Sequence, residues 1–357
     1  MNNPLDKFKP AVRALSAYNL PSYSAGTKIN QNENPWDMPE PIKSEVRRRL
    51  ENRPWSRYPD FVPASLLERL AALAGWRTEG TLAGNGSNEL IQAVLMVSVG
   101  PGTRVLIAEP TFTLYRQIVT VLGGEVVSNP LTSTFQFDVD AIRRRAASGD
   151  IDVIVLCSPN NPTGNCICTE DVREVAASFP GLLIIDEAYH EFSGQTLVPL
   201  LSELGNLIVL RTFSKAMSMA GLRVGYMLSS PEIVREVHKA TLPYNLNFYS
   251  STAAEVACEN YALLVPQIEE IIHQREVLFQ ALVQADQVEP VASRANFMLL
   301  RTPLSPRILF EELLARDILI RDVSRYPMLA DYVRVSVGSH DENKKLVASI
   351  KQIVPQA

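Results

Sequence analysis

The sequence has few of the side chains that ordinarily hold a metal ion. Its 357 residues include only four cysteines and four histidines. Two cysteines form the pair Cys166-Ile-Cys168, but no second pair stands at metal-ligand spacing and the histidines are scattered. A zinc site is the alternative interpretation. We favour reduced, structural thiols, and we expect no metal site.

The sequence also lacks an excess of basic residues and any long hydrophobic run. Its 34 basic and 39 acidic residues give a net charge of −5, so a nucleic acid, whose phosphates need a basic face, is not expected as a partner. The longest apolar runs fall short of the roughly 18 residues that span a bilayer. The N-terminal segment MNNPLDKFKP has no apolar core of the signal-peptide type. We therefore predict a cytoplasmic protein that does not bind membranes.

Six short apolar runs between about residues 81 and 230 predict a mainly parallel sheet. The runs are continuous rather than alternating, which is typical of strands buried on both faces, and helical patterns separate them. Ligands of such α/β sheets bind at the carboxyl ends of the strands. Polar residues of this sequence cluster at those ends. The runs are TRVLIAEP, GEVVSNP, IDVIVLCSP, GLLIIDEAY, NLIVLRT and RVGYMLSS.

The chain is longer than a usual single domain of roughly 100–200 residues, and its composition changes along its length. Residues 1–40, rich in Pro, Asn and Tyr, predict an extended arm that packs on the small domain or on a dimer partner. Residues 41–265 predict a large α/β domain. Residues 266–357 predict a linking helix and a smaller α+β domain, because NFMLLR, RILFEELLAR, DILIRDVS and YVRVSVG read as strand, helix, strand and strand.

One lysine follows a predicted buried strand. Lys215 stands in RTFSKAMSMAGLRVGY, directly after NLIVL. A lysine that is partly desolvated and close to other cations has a lowered pKa, and it then attacks carbonyls to form a Schiff base. Taken alone, Lys215 is better read as a surface residue at a helix start. Its neighbours reverse that interpretation.

The neighbours of Lys215 indicate a phosphate site. Ser214 is adjacent, and Arg223, flanked by glycines, offers a guanidinium that grips a phosphate with two hydrogen bonds. Upstream, AGNGSNELI is a glycine-rich turn that runs into a helix, and its amides form an anion-binding nest at Gly86, Ser87 and Asn88. Neither GxGxxG nor a Walker lysine is present, so a single phosphate is favoured over a dinucleotide or a nucleoside triphosphate.

Polar residues at two further strand ends extend this group. Asp186 follows the apolar strand LLII, where a carboxylate is costly unless it pairs with a cation such as a protonated pyridine nitrogen. Tyr189, three residues on, and Asn161, in CSPNNPTG, could hydrogen-bond a ring phenolate. The alternatives are that Asn161-Pro162 is an ordinary turn and that Tyr189 belongs to the core.

Several motifs resemble fold-type-I pyridoxal-phosphate aminotransferases, namely GNGS, NNPTG, a strand ending in DEAY, and SK-x7-R. Within that superfamily the chain closely resembles histidinol-phosphate aminotransferases from about residue 10 to residue 350. The resemblance implies a fold-type-I transferase, with a large α/β domain on a mainly parallel mixed sheet, a smaller C-terminal α+β domain and an N-terminal arm. The motifs that carry it are KINQNENPW, RYPD, EPTFTLY, RTFSKA, PYNLN, SRANFMLL and IRDVSRYP with YVRVSVG.

The resemblance implies pyridoxal 5′-phosphate as cofactor and assigns catalytic roles. Lys215 binds the cofactor aldehyde and then carries a proton between substrate and cofactor as general base and acid. Asp186 keeps the pyridine nitrogen protonated. Tyr189 and Asn161 bind the ring oxygen O3′, and Phe112 stacks on the ring face.

The resemblance also implies how the cofactor phosphate is held. The donors are the amides of Gly86 and Ser87, with Asn88 beside them, and the side chains of Ser214 and Arg223. Tyr58 reaches this phosphate from a second subunit, which implies an obligate homodimer in which each protomer completes its partner's site. The alternative for Tyr58 is an ordinary turn aromatic before Pro59.

Substrate recognition is expected from the small domain. Arg334 in YVRVSVG and Arg321 in LIRDVS are read as surface ion pairs or, by the resemblance, as the groups that meet substrate anions. Those anions are the glutamate carboxylate in one half-reaction and the phosphate of histidinol phosphate in the other. Matching motifs add Tyr18, Asn32 and Asn245 as further substrate contacts.

The implied reaction is ping-pong transamination between L-histidinol phosphate and 2-oxoglutarate in histidine biosynthesis, which gives imidazole-acetol phosphate and L-glutamate. An aromatic amino-acid aminotransferase and a threonine-phosphate decarboxylase are the alternatives from the same superfamily. From another class, the chain could be a catalytically inactive homologue that senses a ligand and regulates a partner. The intact set of Asp186, Lys215 and Arg223 argues against that reading.

Overall fold

The structure is a computed structural model that describes residues 3–17 and 23–354. Its strands, in chain order, are β1 Thr27–Lys28, β2 Thr81–Gly84, β3 Arg104–Glu109, β4 Glu125–Pro130, β5 Val153–Cys157, β6 Leu182–Asp186, β7 Leu207–Thr212, β8 Gly225–Leu228, β9 Glu289–Pro290, β10 Phe297–Arg301, β11 Ile318–Leu319, β12 Arg321–Asp322 and β13 Tyr332–Ser336. The six runs expected to be strands are all strands.

Helices alternate with the strands of the large domain, as the apolar periodicity predicted. They are α1 Pro10–Arg13, α2 Glu40–Leu50, α3 Ala64–Ala74, α4 Ser87–Ser98, α5 Leu114–Leu122, α6 Val139–Ala146, α7 Thr169–Ala177, α8 His190–Ser193, α9 Pro231–His238, α10 Phe248–Glu259, α11 Val265–Val283, α12 Pro306–Leu314 and α13 His340–Ile353. Short 3-10 helices lie at Pro4–Lys7, Thr78–Gly80, Val198–Ser202, Ala220–Leu222 and Tyr261–Leu263.

A seven-stranded sheet forms the centre of the large domain, in the order β2-β8-β7-β6-β5-β3-β4. Its neighbours pair in parallel except for β8, which runs antiparallel to both β7 and β2. Two hydrophobic clusters of helix and strand side chains pack against this sheet. Because the strands are covered on both faces, their sequences are continuous apolar runs. The mainly parallel mixed sheet that the sequence predicted is confirmed.

The sheet register brings three strand ends together. In β5, β6 and β7, Cys157 lies opposite Asp186, and Asp186 lies opposite Leu210. The loop that carries Asn161 leaves β5, and the turn that carries Lys215 leaves β7. Because neighbouring parallel strands end at the same edge, these polar residues meet in one place.

A four-stranded antiparallel sheet, β12-β13-β10-β9, forms the centre of the C-terminal part. Helices α11, α12 and α13 pack on it through a separate hydrophobic cluster. The segment DILIRDVS differs from the single strand that we expected. Residues 318–319 pair in parallel with β1 of the N-terminal arm, whereas residues 321–322 pair with β13. Ile318, Leu319 and Ile320 are all buried, so the chain passes from one sheet to the other within the core.

In the part of the chain that the structure describes, no helix is both long and apolar enough to cross a membrane. The same residues contain no cluster of three or more His, Cys, Asp or Glu side chains that could hold a metal ion.

Candidate active site

A cleft of about 230 Å³ lies at the carboxyl ends of β5, β6 and β7 and is closed on one side by the small domain. Most of the residues that the sequence singled out line it together. They are Asn32, Ser87, Asn88, Phe112, Asn161, Asp186, Tyr189, Ser214, Lys215, Arg223, Arg321 and Arg334. The strand-end residues therefore meet in one cleft, and their roles there stay predictions.

The amine of Lys215 projects into this cleft from the turn after β7. Its Nζ donates a hydrogen bond to the carbonyl oxygen of Gln31, at 2.9 Å. Burial, reinforced by the positive charges of Arg334 and Arg223, lowers the pKa of Lys215 to about 7. A substantial fraction of the side chain is therefore the neutral, nucleophilic amine near neutral pH.

Asp186 ends β6 and is almost completely buried. Its Oδ1 accepts a hydrogen bond from the Ala188 amide at 3.0 Å, and its Oδ2 accepts one from the Tyr115 hydroxyl at 2.6 Å. Burial raises the pKa of Asp186, and the two hydrogen bonds act in the opposite direction. The carboxylate is thus held in place, in a position where a cationic partner would stabilise its charge.

Two aromatic rings, those of Phe112 and Tyr115, line the same cleft as Asp186. Phe112 lies half-buried in the cleft, with its ring perpendicular to that of Tyr115 and a centroid distance of 5.7 Å. Tyr115 is fully buried, and burial raises the pKa of its hydroxyl well above the usual value. Tyr115 is therefore a neutral donor to Asp186.

A hydrogen-bond network joins Tyr189 to Arg334. The Tyr189 hydroxyl accepts from Asn32 Nδ2 at 3.1 Å and from Asn161 Nδ2 at 3.3 Å. The Oδ1 of Asn161 in turn accepts from Arg334 at 2.6 Å, and Arg334 also donates to the carbonyl oxygen of Asn30 at 2.8 Å. Burial raises the pKa of Tyr189, so its hydroxyl is protonated at neutral pH.

The N-terminus of α4 and the side chain of Arg223 form a cradle for an anion. Gly86 precedes the helix with φ of 78°, and a β-carbon at this position would collide with the Arg223 guanidinium. A β-carbon at Gly225 would collide with the Ser87 amide nitrogen. Arg223 donates to the Ser214 hydroxyl at 3.0 Å, so amide, hydroxyl and guanidinium donors converge there.

Two arginines from the small domain face the cleft side by side. Arg321 on β12 lies directly opposite Arg334 on the antiparallel strand β13. Arg334 is 7% exposed and is bonded to Asn161 and Asn30. The side chain of Arg321 has no hydrogen-bond or ion-pair partner among the residues that the structure describes.

Besides Gly86, whose backbone forms the cradle, three expected site residues lie outside the cleft lining or outside the described residues. Tyr58 is 78% exposed and stacks on Tyr244 at a centroid distance of 4.5 Å. Asn245 donates to Glu89 Oε2 at 2.8 Å, and that carboxylate also accepts from the amide of the turn before α4. Asn245 thus supports the turn, and its role in binding substrate stays a prediction. Tyr18 lies outside the described residues.

The cleft also contains residues that the sequence reasoning missed. Gln31 lies in the motif KINQNENPW but acts through its backbone carbonyl, which no residue type reveals. Tyr115 lies in EPTFTLY, in the first turn of α5 and not at a strand end. Only the tertiary fold brings its hydroxyl to Asp186. Cys157 could have been found, because it is the last residue of β5; the other missed residues are Asn30, Ala188, Thr212 and Tyr326.

This donor set fits the cofactor that the resemblance implies. The cradle at Gly86 offers hydrogen-bond donors and a cation for a phosphate, Asp186 offers a buried carboxylate, and Lys215 offers an amine. Together these groups suit a molecule with an anionic end, a basic ring and a carbonyl.

Comparison with known proteins identifies the family. Residues 25–350 match the model of the family described as aminotransferase class I and II. A histidinol-phosphate aminotransferase of Chlorobium phaeobacteroides is 40% identical over 344 residues, which cover 96% of this chain and 95% of the relative. One of Chlorobium phaeovibrioides is 38% identical over 350 residues and 96% of each chain.

A solved structure agrees with the fold. The histidinol-phosphate aminotransferase of Sinorhizobium meliloti in complex with pyridoxal-5′-phosphate superposes with a TM-score of 0.88 and 23% identity, covering 97% of both chains. That likeness concerns the fold alone, and the predicted fold class is confirmed. From the match over most of its length, the chain belongs to the aminotransferase class I and II family.

Proposed function

We propose that the protein uses pyridoxal 5′-phosphate to transfer an amino group between L-histidinol phosphate and 2-oxoglutarate. The Chlorobium relatives carry the name histidinol-phosphate aminotransferase, and the relative from Sinorhizobium meliloti binds this cofactor. The cleft offers one group for each part of the cofactor, which supports the same assignment.

In this proposal the chain holds the cofactor at three points. The amides of Gly86 and Ser87, the Ser214 hydroxyl and the Arg223 guanidinium hold the phosphate. Asp186 pairs with the ring nitrogen, and Tyr189 and Asn161 bind the ring oxygen. When bound, the cofactor supplies an aldehyde that accepts the amino group and a ring that stabilises negative charge.

Lys215 acts as the base and acid in this proposal. Its lowered pKa, about 7, makes the amine ready both to attack the cofactor aldehyde and to accept a proton from substrate near neutral pH. The Gln31 carbonyl accepts a hydrogen bond from this amine and so fixes its direction. The Tyr115 hydroxyl donates to Asp186 and so keeps that carboxylate oriented towards the ring nitrogen.

The observation that carries the substrate assignment is the pair Arg321 and Arg334. The two guanidinium-bearing residues lie opposite each other on paired strands and line the same cleft as Lys215. Two cations suit a phosphomonoester or a dicarboxylate, such as histidinol phosphate and 2-oxoglutarate. An aromatic amino acid has one carboxylate and would leave one arginine without an anion, so the pair favours the phosphorylated substrate.

A homodimer is part of the proposal. Tyr58 stacks on Tyr244, Phe61 meets the same Tyr244 ring edge to face, and all three side chains are exposed. A patch of this kind is ordinarily covered by another protein surface, and a two-fold dimer is the commonest arrangement. In such a dimer Tyr58 would reach the partner's cofactor phosphate. A cytoplasmic location also remains a proposal, supported by four free cysteines.

Replacing Arg321 tests the substrate assignment. In Arg321→Gln we expect kcat/KM to fall about tenfold to a hundredfold for histidinol phosphate, because one charge-assisted contact is lost. The value for phenylalanine, measured as a slow substrate, should change little. The matched control is Arg316→Gln, which changes a partly exposed arginine that pairs with Glu312. Equal losses with both substrates would contradict the assignment of Arg321 to the phosphate.

A further inference from the structure

A second cavity, of about 490 Å³, lies at the junction of the two domains. One wall comes from the large domain, with residues 164–168 after β5 and Gln195. The other wall comes from the linking helix α11 and from the loop before β10. Its lining residues are Gln136, Gly164, Asn165, Cys166, Cys168, Gln195, Arg275, Glu276, Phe279, Ala292, Ser293, Arg294 and Met298, and none of them lines the active-site cleft.

A buried amide group in this cavity has no partner. Asn165 is 7% exposed, and its Nδ2 lacks a hydrogen-bond partner among the described residues. A donor left unpaired in a buried position costs free energy, and it identifies a place where an acceptor is missing.

Neighbouring hydrogen bonds fix the orientation of that amide. Asn160 Nδ2 donates to the Thr163 hydroxyl at 2.7 Å, and Asn160 Oδ1 accepts from Thr111 at 2.7 Å. The Thr163 hydroxyl accepts from Asn160 and therefore donates its own hydrogen to Asn165 Oδ1. Since Oδ1 is the acceptor in this chain, the group without a partner is the NH₂ of Asn165, which is a donor.

Two arginines add further donors and a positive charge. Arg275 is almost completely buried, pairs with Glu276 at 3.1 Å and donates through Nη1 to two carbonyl oxygens. Arg294 donates through Nη2 to the Ser193 carbonyl oxygen at 3.0 Å and has no ion-pair partner among the residues that the structure describes. Glu276 is the one acid in the lining, so it balances Arg275 and leaves one net positive charge.

We propose that this domain-junction cavity is a second ligand site, which binds a small monocarboxylate between Asn165 and Arg294. A carboxylate supplies the acceptor oxygen that the Asn165 amide lacks, and its single negative charge balances the one net positive charge of the lining. A dianionic phosphate would exceed that charge. This site is separate from the proposed transamination centre.

Such a ligand would touch both domains at once. The Arg294 amide donates to the Gly164 carbonyl oxygen at 2.8 Å, so this junction is already a contact between them. The loop of residues 160–165 also carries Asn161, which contacts Arg334 and Tyr189 in the active site. A carboxylate in the cavity therefore stabilises one position of the small domain relative to that loop.

Cys166 provides a direct probe, because it lines the cavity, whereas Cys258 lies on α10, outside the cavity lining, and serves as an internal control. The holoenzyme carrying Cys168→Ser, which keeps the N-cap of α7, would be alkylated with iodoacetamide at mildly alkaline pH. Sodium acetate would be compared with sodium chloride at equal ionic strength, and each cysteine would be followed by mass spectrometry.

Acetate should slow alkylation of Cys166 about tenfold at roughly ten times its dissociation constant, with Cys258 unchanged. Arg294→Ala and Asn165→Asp should each abolish that protection, and Arg301→Ala, an exposed arginine of β10, should keep it. Two variants are used so that a folding defect in one leaves the other to decide. The proposal would be overturned if acetate did not protect Cys166, or if it protected Cys166 in both variants as well as in the parent protein. Equal slowing of Cys258 by acetate would also overturn it. The readout does not depend on transamination, so it separates this site from the proposed function.

Discussion

The guanidinium of Arg334 donates to the side-chain oxygen of Asn161 at 2.6 Å, across the boundary between the small and large domains. The amide nitrogen of the same Asn161 donates to the Tyr189 hydroxyl at 3.3 Å. One asparagine therefore connects the group that we expect to bind the substrate anion with the group that we expect to bind the cofactor ring.

Arg334→Ala should impair both half-reactions. The arginine is buried and its partners Asn161 and Asn30 would be left without a donor, so the loss should be about a hundredfold or more in kcat/KM. Single-turnover rates with histidinol phosphate and with glutamate would measure it, with Arg301→Ala as an exposed control on the neighbouring strand. Loss in one half-reaction only would show that Arg334 does not serve both substrates.

Asn161→Asp tests the connection itself. The aspartate would keep an acceptor for Arg334 but would neutralise its charge, and it could no longer donate to Tyr189. We expect KM for anionic substrates to rise and kcat to fall, by about tenfold each. An unchanged KM together with a lower kcat would mean that Asn161 contributes to the cofactor side alone.

Lys215→Met should abolish transamination, leave the fold intact and allow the cofactor to bind without a covalent bond. Measurable turnover at the wild-type rate would refute the assignment of Lys215. The absorbance spectrum and the dissociation constant of the cofactor are the readouts.

The stability of the apoenzyme should depend on pH through Lys215. Its folded-state pKa, about 7, lies below the usual value of 10.5, so the unfolded chain binds more protons between these pH values. The burial cost is fully present below about pH 7 and disappears as the pH rises through 10.5. Lys215→Met should therefore be more stable than wild type at pH 7, by a few kcal/mol at most, with the difference shrinking towards pH 10. A pH-independent difference in denaturant unfolding would contradict this.

Tyr115→Phe should weaken catalysis without removing the cofactor. The variant loses the 2.6 Å hydrogen bond to Asp186, so the pKa of that carboxyl should rise further and the acidic limb of the kcat profile should move to higher pH. We expect kcat to fall about tenfold. Tyr226→Phe, which removes another buried hydroxyl away from the cleft, should leave the pH profile unchanged.

Mixed dimers test the role of Tyr58. Tyr58→Ala and Lys215→Ala should each be nearly inactive, but a mixture of the two should recover about a quarter of wild-type activity, because half of the dimers would contain one intact site. Failure to recover activity after confirmed subunit exchange would mean that Tyr58 acts within its own chain or has no role in the site.

The parts of this site that the sequence predicted are those that follow strand periodicity. Asp186 and Lys215 stand at the ends of apolar runs, and parallel strands bring such ends together. The turn before α4 was equally predictable, because its glycines and the apolar face of Leu90, Ile91 and Val94 indicate a helix start.

The parts that the sequence did not predict depend on tertiary contacts. The Gln31 carbonyl is a backbone group, and Tyr115 reaches Asp186 from α5, a helix that packs on β3 and β4. The switch of residues 318–322 between two sheets was missed because its apolar residues read as one strand. Tyr58 is exposed in one chain, so its role depends on a second copy.

A single-turnover titration of the purified holoenzyme tests the central claim most directly. Conversion of the cofactor from its aldehyde to its amine form would be followed by visible absorbance after mixing with L-histidinol phosphate, L-phenylalanine or L-glutamate. We predict fast conversion by histidinol phosphate and by glutamate, and slow conversion by phenylalanine. Faster conversion by phenylalanine than by histidinol phosphate, or absence of a cofactor band after addition of pyridoxal phosphate, would contradict this account.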